Sequence, residues 1–423
     1  MNKAVVFTKG TPTENANSFD TSISALIAGG VEVTVDSIKK LEFGKVYTLT
    51  SIDDAKELLG IDAKYDKDND VVLFHHIDEF YRMSVPGTKL YLMVVGKEIL
   101  PVTILEDTAG IYAKKLIIEA KGAVRQLAVA FNPTSTYATT ETATNSVNDD
   151  VKAAIPKGQA LATWAYETER PLQILLEGRA FSATSPTAVI DLRTLNADKV
   201  SVVIGQDYGH ASSTDVGAIN KKYASVGTAL GTLSGINVNQ NIGEVETLNL
   251  SNATRNKFVK AGLSSHKTIE EAEALLEKLE ERGYIFPVSY TGISGYRWNN
   301  DHVCAPETVD ADGLMNESTI AYGRTMDDAT RRLRKQLLPK IRSVQPVDAS
   351  GLLPVGVVKS FDSLGDEIFQ DMQAEGLISS GKTYTDATSD LLTGDKALKI
   401  AFDLQPTGSI NKIQGTINLK KSL

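Results

Sequence analysis

The sequence predicts an α/β protein: a central, mostly parallel sheet with flanking helices, followed by an α+β C-terminal module with strand arms at the chain ends. Three observations predict it. From about residue 105 helix-like and strand-like segments alternate, as in "AGIYAKKLIIEAKGAVRQLAVAFNP", "DDVKAAIPKGQALATWAYETERPLQILLEGRAF" and "LRTLNADKVSVVIGQD". Parallel strands need a crossover, which a helix supplies, so such units build parallel sheets. After residue 310 two long helical patterns replace that alternation, "ESTIAYGRTMDDATRRLRKQLLPKIR" and "SFDSLGDEIFQDMQAEGLISSG". The chain then closes on "KALKIAFDLQPTGSINKIQGTINLKKSL", where Leu398, Ile400, Phe402 and Leu404, and later Ile413, Ile417 and Leu419, follow the period of two that marks half-buried strands.

The elements follow in order. "KAVVFT", with Val5 and Phe7 on alternate positions, reads as a short strand, and the polar run after it makes residues 1–20 an arm. Residues 21–104 form the first α/β segment of the body. In it "SISALIAGGVEVTV" reads as a short helix or turn leading into a strand, and "VYTLT" as a strand. Ser51 caps the next helix, with Asp53 and Asp54 in its first turn and Gly60 at its stop. A second helix covers "DNDVVLFHHIDEFYRMS", and "KLYLMVVG" is a buried strand. Residues 105–310 form the central α/β domain, with "NPTSTYATTETATNSVND" as a surface loop. "EEAEALLEKLEER" is an amphipathic helix stopped at Gly283, and two strands joined by a glycine-rich turn follow it. Residues 311–423 form the C-terminal module.

The chain has 423 residues, 42% of them hydrophobic and 23% charged, which is ample for a buried core. A net charge of −9 argues against broad nucleic-acid binding, which leaves a basic footprint. No apolar run approaches the roughly 18 residues of a membrane span, and the N-terminus lacks a secretory signal pattern. The one cysteine, Cys304, excludes an internal disulfide.

Candidate chemistry is sparse. The five histidines, His75, His76, His210, His266 and His302, form no HExxH pair. His302 and Cys304 are two apart, and a zinc site there needs further ligands; otherwise Cys304 packs as a small apolar side chain. "QDYGH" follows an apolar strand, where doubly wound sheets hold ligands. Asp207 and His210 thus offer two members of a hydrolase triad, but no GxSxG elbow accompanies them. Gly227, Gly231 and Gly235 recur every four residues without the pattern of a phosphate loop, and are read as helix packing. The densest basic stretch, "RRLRKQLLPKIR", is either a solvated helix end or a patch that meets an acidic protein surface. No catalytic, metal-binding or cofactor-binding residue is assigned.

The order of these pieces resembles a divergent branch of the contractile tail sheath family of phages and phage-like injection systems. "VYTLTSIDDAKELLGI", "VVLFHHIDEFYRMSVPGTKLYLMVVG", "DKVSVVIGQD", "YASVGTALGTLSGINVNQNIGE", "LEERGYIFPVSYTGISGYRWNND" and the two C-terminal helical stretches occur in the family's order. The chain departs from it in three places. Leu59-Gly60 replaces Phe-Gly, an Asp is missing after Gly231, and the Pro-Gly-Val-Tyr opening is absent.

The resemblance implies a subtilisin-like central sheet without a catalytic triad, no enzyme activity and no cofactor. It implies a subunit that polymerises helically around an inner tube and contracts to drive that tube through a target envelope. Its partners are then copies of itself, the tube protein, and baseplate and tail terminator proteins. Assembly is expected in the bacterial cytoplasm, into a virion tail or injection-system particle. Terminal strands are exchanged between neighbours by β-augmentation. On this chain they map to Val5, Phe7, Leu398, Ile400, Phe402, Leu404, Ile413, Ile417 and Leu419, with Leu398 to Leu404 expected to pack on the domain core and Ile413 to Leu419 to reach the neighbouring subunit. The inter-subunit charge patch maps to Arg331, Arg332, Arg334, Lys335, Lys340 and Arg342. A baseplate or tube-adaptor protein of the same architecture is the alternative, and a hydrolase a more distant one.

Overall fold

The computed structural model describes residues 21–183, 185–417 and 419. The sheet is laid down from β1 (Ser24–Gly30), whose seven residues are all buried. A helix or turn was expected here. "SALIAGG" is apolar without a period, so its partners decide its form, and it lies between two parallel strands. A hairpin follows, β2 (Val33–Val35) and β3 (Ile38–Leu41), turning through Asp36 and Ser37 at φ 49 and 65. Next come β4 (Val46–Leu49), α1 (Ile52–Glu57), a short unforeseen α2 (Ala63–Asn69), α3 (Leu73–Met83) and β5 (Leu90–Gly96). Ser51 and Asp54 form a complete capping box on α1.

The alternating stretch supplies α4 (Pro101–Glu106), α5 (Ala113–Glu119), β6 (Gln126–Ala130), α6 (Ser135–Thr140), α7 (Asp149–Glu167), β7 (Gln173–Glu177) and β8 (Val200–Val203). Two expectations change here. The segment read as a plain loop holds α6, and the helix expected before β8 is a 3-10 turn over Leu192–Leu195, followed by Asn196 in a left-handed conformation. After β8 come β9 (Gly205–Asp207), α8 (Tyr208–Ala211), α9 (Val226–Ser234), β10 (Ala261–Leu263), β11 (Lys267–Thr268), α10 (Glu273–Glu281), β12 (Tyr284–Ile285) and the hairpin of β13 (Pro287–Tyr290) and β14 (Ile293–Trp298).

Seven of these strands form one sheet in the order β12-β8-β7-β6-β1-β5-β4. Only β4 is antiparallel to its neighbour. Strands from residues 24–96 and from 126–285 therefore share one sheet and one core, which runs from Leu26 and Val94 to Val202 and Ile285. The repeated glycines of α9 lie on α3. A Cβ built on Gly231 would stand 2.6 Å from the Phe80 carbonyl oxygen and 2.8 Å from its Cα, so only glycine permits this approach.

The C-terminal module consists of α11 (Ile320–Leu337), α12 (Val355–Ala374), β15 (Ile378–Thr385) and β16 (Ile400–Pro406). A second, smaller core joins Ala329 and Leu333 of α11 to Phe369 and Met372 of α12 and Ile378 of β15, with Phe402 and Leu404 of β16 packed against it. This corrects the reading of the chain end. The partner of residues 400–406 is the chain's own β15, paired antiparallel from Ile378↔Pro406 to Thr385↔Ile400. "ISSGKTYT" hides as a strand because its buried positions are Ile378, Thr383 and Thr385, with too little apolar signal to reveal a period. Residues 407–417 carry no regular structure, so Ile413 and Ile417 do not form the second strand within the chain.

Candidate functional site

The C-terminal module offers the surface best suited to a partner. Among the described residues β15 and β16 pair only with each other, so each keeps an outer edge of backbone groups that could accept a further strand. Beside this ribbon lies a groove of about 950 Å³. Its walls are Leu337 at the end of α11, Ile341 and Val344 from the segment after it, Phe361 of α12, Leu391, Leu392 and Leu398 from the loop before β16, and Ile400 and Phe402 of β16 itself. Lys340, Arg342 and Lys396 also line it. Ile341 and Val344 are 68% and 95% exposed, so apolar groups face solvent where core packing does not require them.

The expected arm residues divide by position. Leu398, Ile400, Phe402 and Leu404 are half-buried within the module. Ile413, Ile417 and Leu419 are 88%, 100% and 103% exposed and rest on nothing among the described residues. Val5 and Phe7 lie outside the described residues.

The six basic residues of 331–342 divide as well. The largely buried Arg331 guanidinium donates to the carbonyls of Gly122 at 2.8 Å and Val124 at 3.1 Å, and to that of Pro171. Burial and the nearby Arg125 press its pKa down to about 9, so it stays charged at neutral pH. Arg332 is buried between Asp328 and Glu375. These two side chains join the module to the body and to α12 and do not belong to an open patch. Arg334 is exposed and pairs with Glu169 on the body. Lys335, Lys340 and Arg342 are exposed. The signal for the difference is helical phase: Arg332 lies four residues after Asp328, on the face that carries Ala329 and Leu333.

The position where a doubly wound sheet holds ligands is filled by the chain itself. Beyond β6, Asn132 donates to the Gly29 carbonyl and accepts from the Val72 N–H. At the end of β7 the buried Glu177 accepts from the N–H groups of Phe131 and Ala224. Burial pushes its carboxyl up to about 7. Asp207 caps α8 and accepts from the N–H groups of His210 and Phe258, so its carboxylate is engaged by backbone and does not orient an imidazole. His302 lies 3.0 Å from Glu280, and Cys304 is buried in a bridge to Ala197. Among the described residues no helix is long and apolar enough to cross a membrane.

A family model described as DUF2586, N-terminal domain, matches residues 23–302. The chain belongs to the DUF2586 family. No curated protein matches it. Solved structures match this DUF2586 chain over its whole length. Against the anti-feeding prophage (AFP) helical sheath in its contracted state, the TM-score is 0.60 at 12% identity, covering 98% of this chain and 99% of that one. Against a chain of the AFP baseplate, 6-fold symmetrised, it is 0.59 at 12% identity, covering 99% of each. Against the AFP baseplate in its contracted state it is 0.55 at 12% identity, covering 100% and 99%. The DUF2586 chain therefore has a sheath-like fold, and the match includes the C-terminal module as well as the sheet.

Proposed function

We propose that the chain is the structural subunit of a contractile tail sheath, polymerising helically around an inner tube and contracting to drive it through a target envelope. The observation that carries this reading is the C-terminal module: a two-stranded ribbon whose outer edges no other described strand pairs, next to a tail whose apolar residues are almost fully exposed. In a polymer these features complete each other. The tail of one subunit, Ile413 to Leu419, adds to the ribbon of the next, and backbone hydrogen bonds keep subunits joined while their bodies turn. Residues 1–20 are proposed to act as the second exchanged arm. Lys335, Lys340 and Arg342 then face acidic surface on a neighbour, such as the α10 ridge of Glu273, Glu277 and Glu281. Newly buried apolar surface and charge pairing supply the energy of contraction. The tube, baseplate and terminator proteins are its further partners, and the particle is assembled in the bacterial cytoplasm.

A second reading is favoured by the near-equal likeness to a baseplate chain: a sheath-like adaptor that forms one ring and stops. Negative-stain microscopy of the purified full chain separates the two. Striated hollow tubes support the sheath, single rings the adaptor, and isolated compact particles at every concentration oppose both.

A further inference from the structure

Far from the C-terminal module, three histidines meet between α3 and the segment after β9. His75 and His210 lie face to face, ring centroids 3.7 Å apart and planes 6° from parallel. The Tyr223 hydroxyl is 3.1 Å from His75 Nε2, and the Lys257 ammonium 3.4 Å from its Nδ1. His76 meets Tyr223 edge-on, and its Nδ1 accepts from the Gly227 N–H. The charged groups around the stack come from every packed element. α3 contributes Asp78, Glu79 and Arg82, and α2 contributes Asp66, which accepts from the His75 N–H. Lys257 comes from the turn before β10, and Asp207 and Asp215 flank α8.

Residues 208–222 are built lightly, with the single turn of α8 and a 3-10 turn over Ala218–Lys222. Clips hold them to the body: the His75–His210 stack, the Lys67–Asp215 ion pair, the hydrogen bond from the Asn220 amide to the Asp70 carbonyl, and that from Arg179 to the Ile219 carbonyl. Two neutral imidazoles stack favourably, whereas two imidazoliums at this separation repel each other and Lys257. We infer that residues 208–222 form an acid-sensitive clasp, held on α2 and α3 by the neutral His75–His210 stack and released when those rings take up protons. This holds whichever assembly the chain builds.

The direction follows from linkage. Burial first, then Lys257, pushes His210 down to about 4, and burial with His210 and Lys257 holds His75 well below the usual imidazole range. An opened segment returns His210 to an ordinary value and relieves His75 of that ring and of part of its burial, while Lys257 stays beside it, so opening gains as pH falls below about 6.5. Asp207, raised to about 6 mainly by burial, acts in the opposite sense, and two imidazoles outweigh one carboxyl. The net gain in opening between pH 7 and pH 4.5 is roughly ten- to a hundred-fold.

Hydrogen exchange of the full chain at pH 7 and 4.5, corrected for intrinsic rates, tests this. Protection of 208–222 is expected to fall by that factor while β5 keeps its own, and His210→Phe, which keeps an aromatic stack without a proton site, is expected to cut the response at least ten-fold. An unchanged response in the variant, or equal loss in β5, overturns the clasp. NMR titration of histidine-labelled wild-type protein decides independently of how the variant folds. Rings at 75 and 210 that stay neutral well below pH 6.5 support it, and both titrating near 6.5 overturns it.

Discussion

Arg332 grips Glu375 with both terminal nitrogens, at 2.8 and 2.7 Å, while its Nε holds Asp328 at 2.8 Å. One side chain thus ties α11 to the end of α12. Arg332→Ala leaves Asp328, 3% exposed, without its cation. Breaking a buried pair by removing one partner costs about 3–5 kcal/mol, so the variant is expected to unfold at markedly lower denaturant. Arg332→Met with Asp328→Met should recover much of that loss. Lys340→Ala and Arg342→Ala, both at exposed positions, should stay within about 0.5 kcal/mol of the parent. A loss in these two as large as in Arg332→Ala would refute the division of the basic stretch into inner and outer residues.

Gly231→Ala tests the contact between α3 and α9. The added carbon would meet backbone atoms of Phe80 at 2.6 and 2.8 Å, and backbone cannot turn aside as a flexible side chain does. The helices must separate, at about 1–3 kcal/mol for overpacking, against the roughly 1 kcal/mol an alanine ordinarily gains over glycine in a helix. Thermal melting of the variant should show a clear fall. An unchanged or raised midpoint would mean that the glycines serve something other than close packing.

What the sequence revealed depended on whether the signal was local. "KLYLMVVG", the Ser51 cap and the Gly227–Gly231–Gly235 spacing carry their meaning within a few residues, and the structure places each as read. β1 was misread because a run buried on both faces has no period, and β15 was missed because threonines fill its buried face. The inward turn of Arg331 was invisible for another reason: its acceptors, the carbonyls of Gly122 and Val124, lie 209 and 207 residues away. The groove was hidden likewise, since its walls come from the linker after α11 and the loop before β16. The exposed tail was legible as apolar residues with no partner in view, although its form within the chain is not a strand.

Glu280 makes stability depend on acid. Burial alone would raise its pKa, but hydrogen bonds and charge from His302, with the amides of Asn300 and Asn299, prevail and hold it down at about 2. A carboxyl depressed on folding stabilises the protein above its unfolded pKa and loses that contribution as pH falls through the folded one. The window therefore runs from about pH 4.5 down to about 2, and the half-exposed site limits the effect to the order of 1 kcal/mol. Urea midpoints measured across that range should fall less steeply in Glu280→Gln than in the parent. Parallel curves would show that the ordinary carboxylates dominate.

The tail is best tested by a cut after Pro406. A cut at residue 396 would remove β16 as well, strip Phe402 from Phe369 and expose the small core, so failure to assemble would then reflect a damaged module. Ending the chain at Pro406 keeps the full register from Ile378↔Pro406 to Thr385↔Ile400. It discards Ile410, Ile413 and Ile417, which are 82–100% exposed, and the hydrogen bond from Asn239 to Thr407. The folded monomer should lose no more than about 1 kcal/mol, with an unchanged circular dichroism spectrum. If the tail is the device that joins subunits, this well-folded chain forms no tubes under conditions where the full chain does. If it does form them, the ribbon edges and the groove are completed by something else, residues 1–20 being the remaining candidate in the chain.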